Sequence, residues 1–329
     1  VLFVPETATE LITGGVSPWT CSTVKEFQKI LLSLQLKKEK LFLEAARSMD
    51  GDKILIVCDR GAIDGKAFVS NLDFQNIISS INTNEIELRD NYDAIFHLVT
   101  AAKGAEQFYT KENNSARYET LEEARISDDK IINAWTGHPH LRIIDNSTDF
   151  DQKMHKLIKE ISLFLGEPEP LEIERKFLIE YPDIKWLEKQ MNCQKVEIIQ
   201  TYLKSPNNEE IRIRQRGSNG NFVYFKTTKK VVNNIKRIEI EKRLTKDEYL
   251  DLLLEADPNK KPIRKTRYCF INKNKYFELD VYPFWDDKAI LEIELNDEND
   301  TFEIPKKIKI IKEVTNDPQY KNYSIANNK

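Results

Sequence analysis

Leu171-Glu-Ile-Glu-Arg-Lys-Phe177 decides how the second half of this chain is read. Side chains two apart on a strand point to one face. Glu172, Glu174 and Lys176 therefore share a face, and Ile173 and Phe177 take the other. The alternation recurs downstream. Arg212 and Arg214 share a face, backed by Ile211 and Ile213, and Lys226 ends the apolar run Val223 to Phe225. Arg237, Glu239 and Glu241 face together, backed by Ile238 and Ile240, and Lys265 and Arg267 pair in the same way. Asp280 sits between Leu279 and Val281, and Glu292 and Glu294 alternate with Leu291, Ile293 and Leu295.

For any one strand, a solvated charged face is the ordinary reading. Repetition over seven successive strands, without dilution by Ser, Thr or Gln, argues for a shared wet cavity. A dry core closed over these ions would cost several kcal/mol for each. Only Pro182 to Met191 and Thr245 to Glu255 read as helical within this region. Strand after alternating strand predicts an α+β domain built on an antiparallel β-barrel.

The 329 residues suffice for two domains. Gly166-Glu-Pro-Glu-Pro170 ends a helix and stiffens a linker, which predicts domains over 1–166 and 171–329. Before it, apolar strands (Val1 to Val4, Lys53 to Cys58, Ala94 to Val99, Leu141 to Ile144) alternate with helical stretches (Thr23 to Ser48, Asn114 to Trp135, Phe150 to Leu165). Short apolar runs between helices predict an α/β domain on a parallel sheet.

Charged residues make up 32% of the chain, yet the net charge is −4, so no overall basic field draws it to nucleic acid. Any anion must be held by local arrangement. Cys21, Cys58, Cys193 and Cys269 are scattered without a C-x-x-C pair, which reads as reduced thiols in a cytoplasmic setting. His97, His138, His140 and His155 are too dispersed for a zinc site. No apolar run approaches the roughly 20 residues of a membrane span.

With its companions in order, the E-x-E-x-K of Glu172 to Lys176 resembles the opening of the CYTH, or triphosphate tunnel metalloenzyme, superfamily. Those companions are the R-x-R at Arg212, Lys226, the E-x-E at Glu239, the K-x-R at Lys265, Asp280, and the E-x-E at Glu292; Glu313 to Tyr320 also resembles the family's end. The resemblance implies that Lys176, Arg212, Arg214, Lys226, Arg237, Lys265 and Arg267 hold a polyphosphate or a nucleoside triphosphate such as ATP or GTP. It implies Mg²⁺ or Mn²⁺ on Glu172, Glu174, Asp280, Glu292 and Glu294, with Glu239 or Glu241 acting on the attacking water. Charge-assisted hydrogen bonds to phosphate and oxygen ligands to a hard cation suit these residue types.

In the first half, the strand Ile54 to Cys58 ends in Asp59-Arg60, and Val4-Pro5-Glu6 also places an acid at a strand end. An aspartate so placed approaches the nucleotide's Mg²⁺ in P-loop proteins, and it also serves as an ordinary helix cap. Arg117 and Arg125 are candidates for a phosphate-facing lid. Phe3 to Thr9, Cys58 to Gly61, His97 to Ala102, Asn113 to Glu119 and Gly137 to Asn146 together resemble a NadR-like AAA domain. Joined to a CYTH domain, this resembles the TRPL-translocation-defect family.

No G-x-x-x-x-G-K-[ST] occurs. The chain opens at Val1 inside a strand, and the expectation is that a strand-turn-helix unit of roughly 30 residues precedes it. Two functions follow. One is metal-dependent hydrolysis of a triphosphate in the tunnel, coupled to a nucleotide-binding domain. The other, carried by the resemblance, is a non-catalytic GTP- and phosphoinositide-binding regulator of membrane-protein trafficking, peripheral at membranes.

Overall fold

A computed structural model describes residues 1–51, 53–109, 119–166, 173–190, 192–205, 209–231, 237–295 and 300–327. The chain divides into two compact units, Val1–Tyr92 with Val99–Trp135, and Asp93–Leu98 with Thr136–Lys329.

In the first unit β1 (Leu2–Val4) pairs in parallel with β2 (Ile56–Cys58), Leu2 opposite Ile56. Around them lie α1 (Thr7–Thr13), α2 (Val24–Arg47), α3 (Asn71–Ser80), α4 (Glu85–Arg89) and α5 (Leu121–Trp135). Thr23, Ser70 and Asn84 cap α2, α3 and α4, each side chain accepting a backbone N–H three residues on. Phe27, Leu32, Phe74, Ile77, Ile131 and Trp135 are buried. Gly61 is required where it stands, because a Cβ there would lie 2.4 Å from the Trp135 ring.

The second unit begins with β3 (Ile95–Leu98) and β4 (Leu141–Ile144), again a parallel pair. The expected single parallel sheet is therefore two separate ribbons among the described residues. Each of these strands is only three or four residues long and forms a ladder with one neighbour.

After α6 (Phe150–Leu165) come β5 (Ile173–Glu180), α7 (Ile184–Glu188), β6 (Cys193–Tyr202), β7 (Glu210–Ser218), β8 (Asn221–Val231) and β9 (Arg237–Leu244). Then follow α8 (Lys246–Leu252), β10 (Ile263–Asn272), β11 (Lys275–Val281), β12 (Lys288–Leu295), β13 (Ile310–Glu313) and α9 (Asn322–Ile325). The strands form one nine-stranded sheet in the order β13-β5-β12-β11-β10-β6-β7-β8-β9. The predicted closed barrel is not formed. Closure needs the last strand to bond the first, but the outer edge of β5 is taken by β13, and among the described residues β9 bonds only β8.

Tight hairpins set the registers. Asn219-Gly220 turns β7 into β8 and Lys273-Asn274 turns β10 into β11, all four residues at positive φ, as two-residue hairpins require. One face of β5, β12, β11 and β10 is apolar. There Phe177, Leu291, Leu279 and Phe277 pack under Leu187 of α7 and Ile308. Each such side chain contributes about 1.5–3 kcal/mol on burial. At the other end of the sheet, Thr245 and Glu248 form a reciprocal capping box that starts α8, whose Tyr249 packs on Ile213 and Leu244. With helices covering those positions, the charged side chains of the strands are left to the opposite face.

Candidate active site on the charged face of the sheet

Register carries the charges across the sheet. Lys176 of β5 is opposite Glu292 of β12, which is opposite Glu278 of β11, while Asp280 of β11 is opposite Arg267 of β10. The Arg267 guanidinium donates to Asp280 through Nε (2.7 Å) and Nη2 (2.7 Å), to Glu292 through Nη2 (2.9 Å), and to Glu278 through Nη1. Lys265 donates to the same Asp280. Lys176 Nζ lies 2.7 Å from Glu292 and 3.4 Å from Glu174. Asp280 is completely buried and Lys265 is 6% exposed, so the lattice is an interior one.

Burial sets the electrostatics first, and partners decide the outcome. Burial pulls Lys176 down, but Glu292 and Glu174 more than offset it and hold the ammonium above its usual range. Burial would raise Glu292, but Lys176, Arg267 and Lys265 hold it well below the usual carboxylate range. For Lys265, burial together with Arg267 prevails over Asp280 and Glu292, and its value falls. Glu278 goes the other way. Burial raises it, and Glu294, Glu292 and Asp280 add to the rise against Arg267.

A second cluster lies across β7, β8 and β9. Arg214 donates to Glu241, which also accepts the Thr227 hydroxyl at 2.9 Å and lies 3.7 Å from His140 Nε2. Burial acts to raise Glu241, but Arg214 and then His140 carry it well below the usual range. Arg212 stands on the same face, between Tyr202 of β6 and Thr227 of β8. In the β8–β9 ladder Arg237 is opposite Val231 and Glu239 opposite Lys229, and the side chains of Arg237 and Glu239 lie outside what the structure describes.

Lys226 is a correction. Its partners across the ladders are Ile213 and Lys242, so it lies on the face of Ile213 and Tyr224, away from Arg212 and Arg214. Thr227 takes the inward place. Glu172 and Arg117 lie outside the described residues. Among the charged residues on this face that escaped the motif reading are Glu278 and Arg216. Glu278 is two residues before Asp280 and Arg216 two after Arg214, so strand periodicity alone carries the signal for both.

Glu174 and Glu294 are directly opposite each other on β5 and β12. Like charges so placed repel unless a cation lies between or beside them, and an all-oxygen donor set suits a hard divalent ion. The residues thus fit Mg²⁺ or Mn²⁺. As folded, Lys176 neutralises Glu174 and the guanidinium of Arg142 neutralises Glu294. Among the described residues, no three of His, Cys, Asp and Glu already converge into a metal cluster.

In the first unit, Glu6 and Asp59 sit past the ends of β1 and β2, joined by an Asp59 N–H donated to Val4 O at 2.9 Å. Arg60 Nε lies 3.7 Å from Glu6 and 3.4 Å from Asp64. Burial and the neighbouring Glu6 push Asp59 up, with Arg60 opposing. Arg125 is committed to the Ala102 carbonyl at 2.6 Å and to Glu106 at 3.0 Å. No described helix is long and apolar enough to cross a membrane.

The AAA domain family matches residues 1–153, and the CYTH domain family matches residues 170–322. None of the curated proteins matches the chain. Among solved structures, the inorganic triphosphatase NE1496 is 28% identical over 48% of this chain and 96% of its own, with a TM-score of 0.34. A second structure, of the hypothetical protein NE1496, is 29% identical over 48% and 99%, also at 0.34. The PH1012 protein from Pyrococcus horikoshii OT3 is 22% identical over 39% and 80%, at 0.30. Residues 1–153 are thus similar to the AAA domain family and residues 170–322 to the CYTH domain family.

Proposed function

We propose that the charged face of the second unit binds a linear triphosphate, inorganic or nucleoside-linked, together with Mg²⁺ or Mn²⁺, and hydrolyses its terminal phosphate. One observation carries this reading. Acids and bases on adjacent strands form a lattice, buried at Asp280, Lys265 and Glu292, that runs out to a half-exposed acidic end where Glu174 and Glu294 face each other across the β5–β12 ladder. A stability role alone does not account for that. A lattice of buried ion pairs is weakly stabilising at best, and two opposed carboxylates need cations beside them, here Lys176 and Arg142. The order of domains, AAA before CYTH, also supports the narrower kinship with the TRPL-translocation-defect family.

In this reading Arg212, Arg214, Lys265 and Arg267 take phosphate oxygens, and Arg237 of β9 joins them. Glu174, Glu294 and Glu292 would hold the divalent ion, and Asp280 holds Lys265 and Arg267 in place. The bound ion supplies neutralisation of charge developing on the phosphate oxygens. A water oxygen attacks the terminal phosphorus, the bond to the bridging oxygen breaks, and the diphosphate leaves with that electron pair. Against the rise that burial alone would bring, Arg214 and His140 hold Glu241 as the carboxylate, below its usual range. It orients the water by hydrogen bonding, with Glu239 beside it in β9, and the proton leaves on the released phosphate. The acids at the strand ends of the first unit, Glu6 and Asp59 with Arg60, belong to a nucleotide-binding role that this chemistry does not require.

The test is phosphate release from tripolyphosphate, ATP and GTP with Mg²⁺ or Mn²⁺, for the unaltered chain, Glu174→Gln and Arg214→Ala. Metal-dependent release by the first and its collapse in both variants is expected. No release from any of the three substrates, together with sedimentation on phosphoinositide vesicles, would replace this reading with a binding protein.

A further inference from the structure

Gly137-His-Pro-His-Leu-Arg142 runs over the charged face as a strap within the second unit. Its Arg142 guanidinium pairs with Glu294 of β12. The carbonyl of His138 accepts from Tyr276 of β11 at 3.2 Å. On the other arm of the sheet, Arg216 of β7 donates through Nη2 to the Gly137 carbonyl at 2.6 Å, and His140 lies 3.7 Å from Glu241 of β9. The contacts fall in two separate groups, β12 with β11 and β7 with β9, because β10 and β6 stand between β11 and β7. The strap thus crosses from one arm of an open sheet to the other.

The chemistry of its contacts is specific. It offers a cation to the carboxylate expected to take a metal, and a neutral oxygen acceptor to a buried guanidinium. A metal–polyphosphate offers the same two things, a cation to the acids and oxygens to the bases. Gly137 stands at φ 96°, a conformation that suits glycine, so the strap is shaped at the residue whose carbonyl Arg216 holds. His138, at the centre, is completely buried, and its Nδ1 accepts the His140 N–H at 3.0 Å, which stiffens the turn.

We propose that the strap is an internal competitor of the ligand. Arg142 holds the place of the divalent cation on Glu294, and the Gly137 carbonyl holds the place of a phosphate oxygen on Arg216. The metal–polyphosphate binds by displacing both, which makes Arg216 a further phosphate contact. This rests on the polyphosphate reading of the site and adds its regulation, since whatever frees residues 137–142 opens the site.

The apparent affinity of a site is reduced by the fraction of molecules in the competent state. A strap released one-tenth of the time therefore weakens binding about tenfold. The experiment is calorimetric titration of the full chain with tripolyphosphate in Mn²⁺, comparing the unaltered protein with Arg142→Ala, Gly137→Ala and Arg214→Ala. Tighter binding by the first two, by about tenfold, and loss in the third is the expected result. If both strap variants bind as the unaltered chain does, or more weakly, while Arg214→Ala still loses binding, the strap is structural and only this inference falls. If no form binds tripolyphosphate, the reading of the site falls and the strap has nothing to compete with. Hydrogen exchange at the His138 and His140 amides of the unaltered chain guards against variants that misfold. Tripolyphosphate with Mn²⁺ is expected to accelerate it, and unchanged or slower exchange overturns the proposal.

Discussion

Asp280 balances two cations at once, Lys265 and Arg267, with none of its surface exposed. Asp280→Asn leaves both facing an uncharged amide in the interior. Breaking a buried pair on one side costs about 3–5 kcal/mol, so urea unfolding is expected to show a loss of that size. Glu303→Gln breaks the exposed pair with Lys273 and is expected to cost under about 1 kcal/mol. Equal costs would show that the lattice is hydrated and the two sites alike. Titration separates the carboxylates further. The folded state depresses Glu241 and Glu292, so their contribution is present above the unfolded carboxyl value and is lost as pH falls through the folded one. Glu278 is raised, so the folded state binds the extra proton, and its contribution declines as pH climbs from about 4.3 towards the folded value. Glu278→Gln is expected to remove that decline, read as the difference between the two unfolding free energies from about pH 4 to 7. A difference that stays flat would refute the assignment. Asp280 of β11 and Glu292 and Glu294 of β12 were legible because Leu, Val and Ile alternate with them, and the acids and bases of β5 and β10 from their spacing of two. Partners such as Glu278 with Arg267 were not, since which neighbour a guanidinium chooses depends on register between strands.

At the level of the element, β8 shows what alternation cannot decide. Phe222-Val-Tyr-Phe225 is apolar on both faces, so nothing in the run fixes which parity looks inward. The ladder to β7 fixes it, and Thr227 faces Arg212 while Lys226 faces away. Lys226→Ala is therefore expected to leave tripolyphosphate affinity within about twofold, the effect of an ordinary substitution away from the site. Arg214→Ala removes a charge-assisted contact worth about 1.5–3 kcal/mol, roughly 10- to 150-fold in affinity. A large loss at Lys226 in the same titration would reverse the parity. The capping box of α8 is a stability matter alone. Thr245→Ala is expected to cost about 1 kcal/mol without changing binding, because Tyr249 seats that helix on the apolar face of Ile213. Strand and helix positions in both halves followed from local pattern, as α6 and β4 do at the residues predicted. The open edge of the nine-stranded sheet did not. Whether β9 bonds β5 is a contact across some 60 residues of chain, and the short β13, which takes that edge, carries no strong alternation.

For the whole molecule the question is which unit responds to ligand. A ligand that binds only the native state stabilises it by RT ln(1 + [L]/Kd), about 2.7 kcal/mol at a hundredfold excess over Kd. That stabilisation reaches only those openings that destroy the site. The two compact units have separate cores, Phe74 and Trp135 in one and Phe277 and Leu291 in the other, so their local unfolding need not be shared. Tripolyphosphate with Mn²⁺ is therefore expected to slow hydrogen exchange at amides of β7, β10 and β12, and to leave α2 and α3 unchanged. Residues 137–142 are expected to exchange faster in the same experiment, because the strap gives up its contacts as the strands gain theirs. Opposite signs in one sample are informative. General stabilisation by an excluded polyanion slows exchange everywhere, and binding at the first unit slows it around Glu6 and Asp59. Either pattern, in place of the expected one, would move the polyphosphate site off the charged face of the sheet.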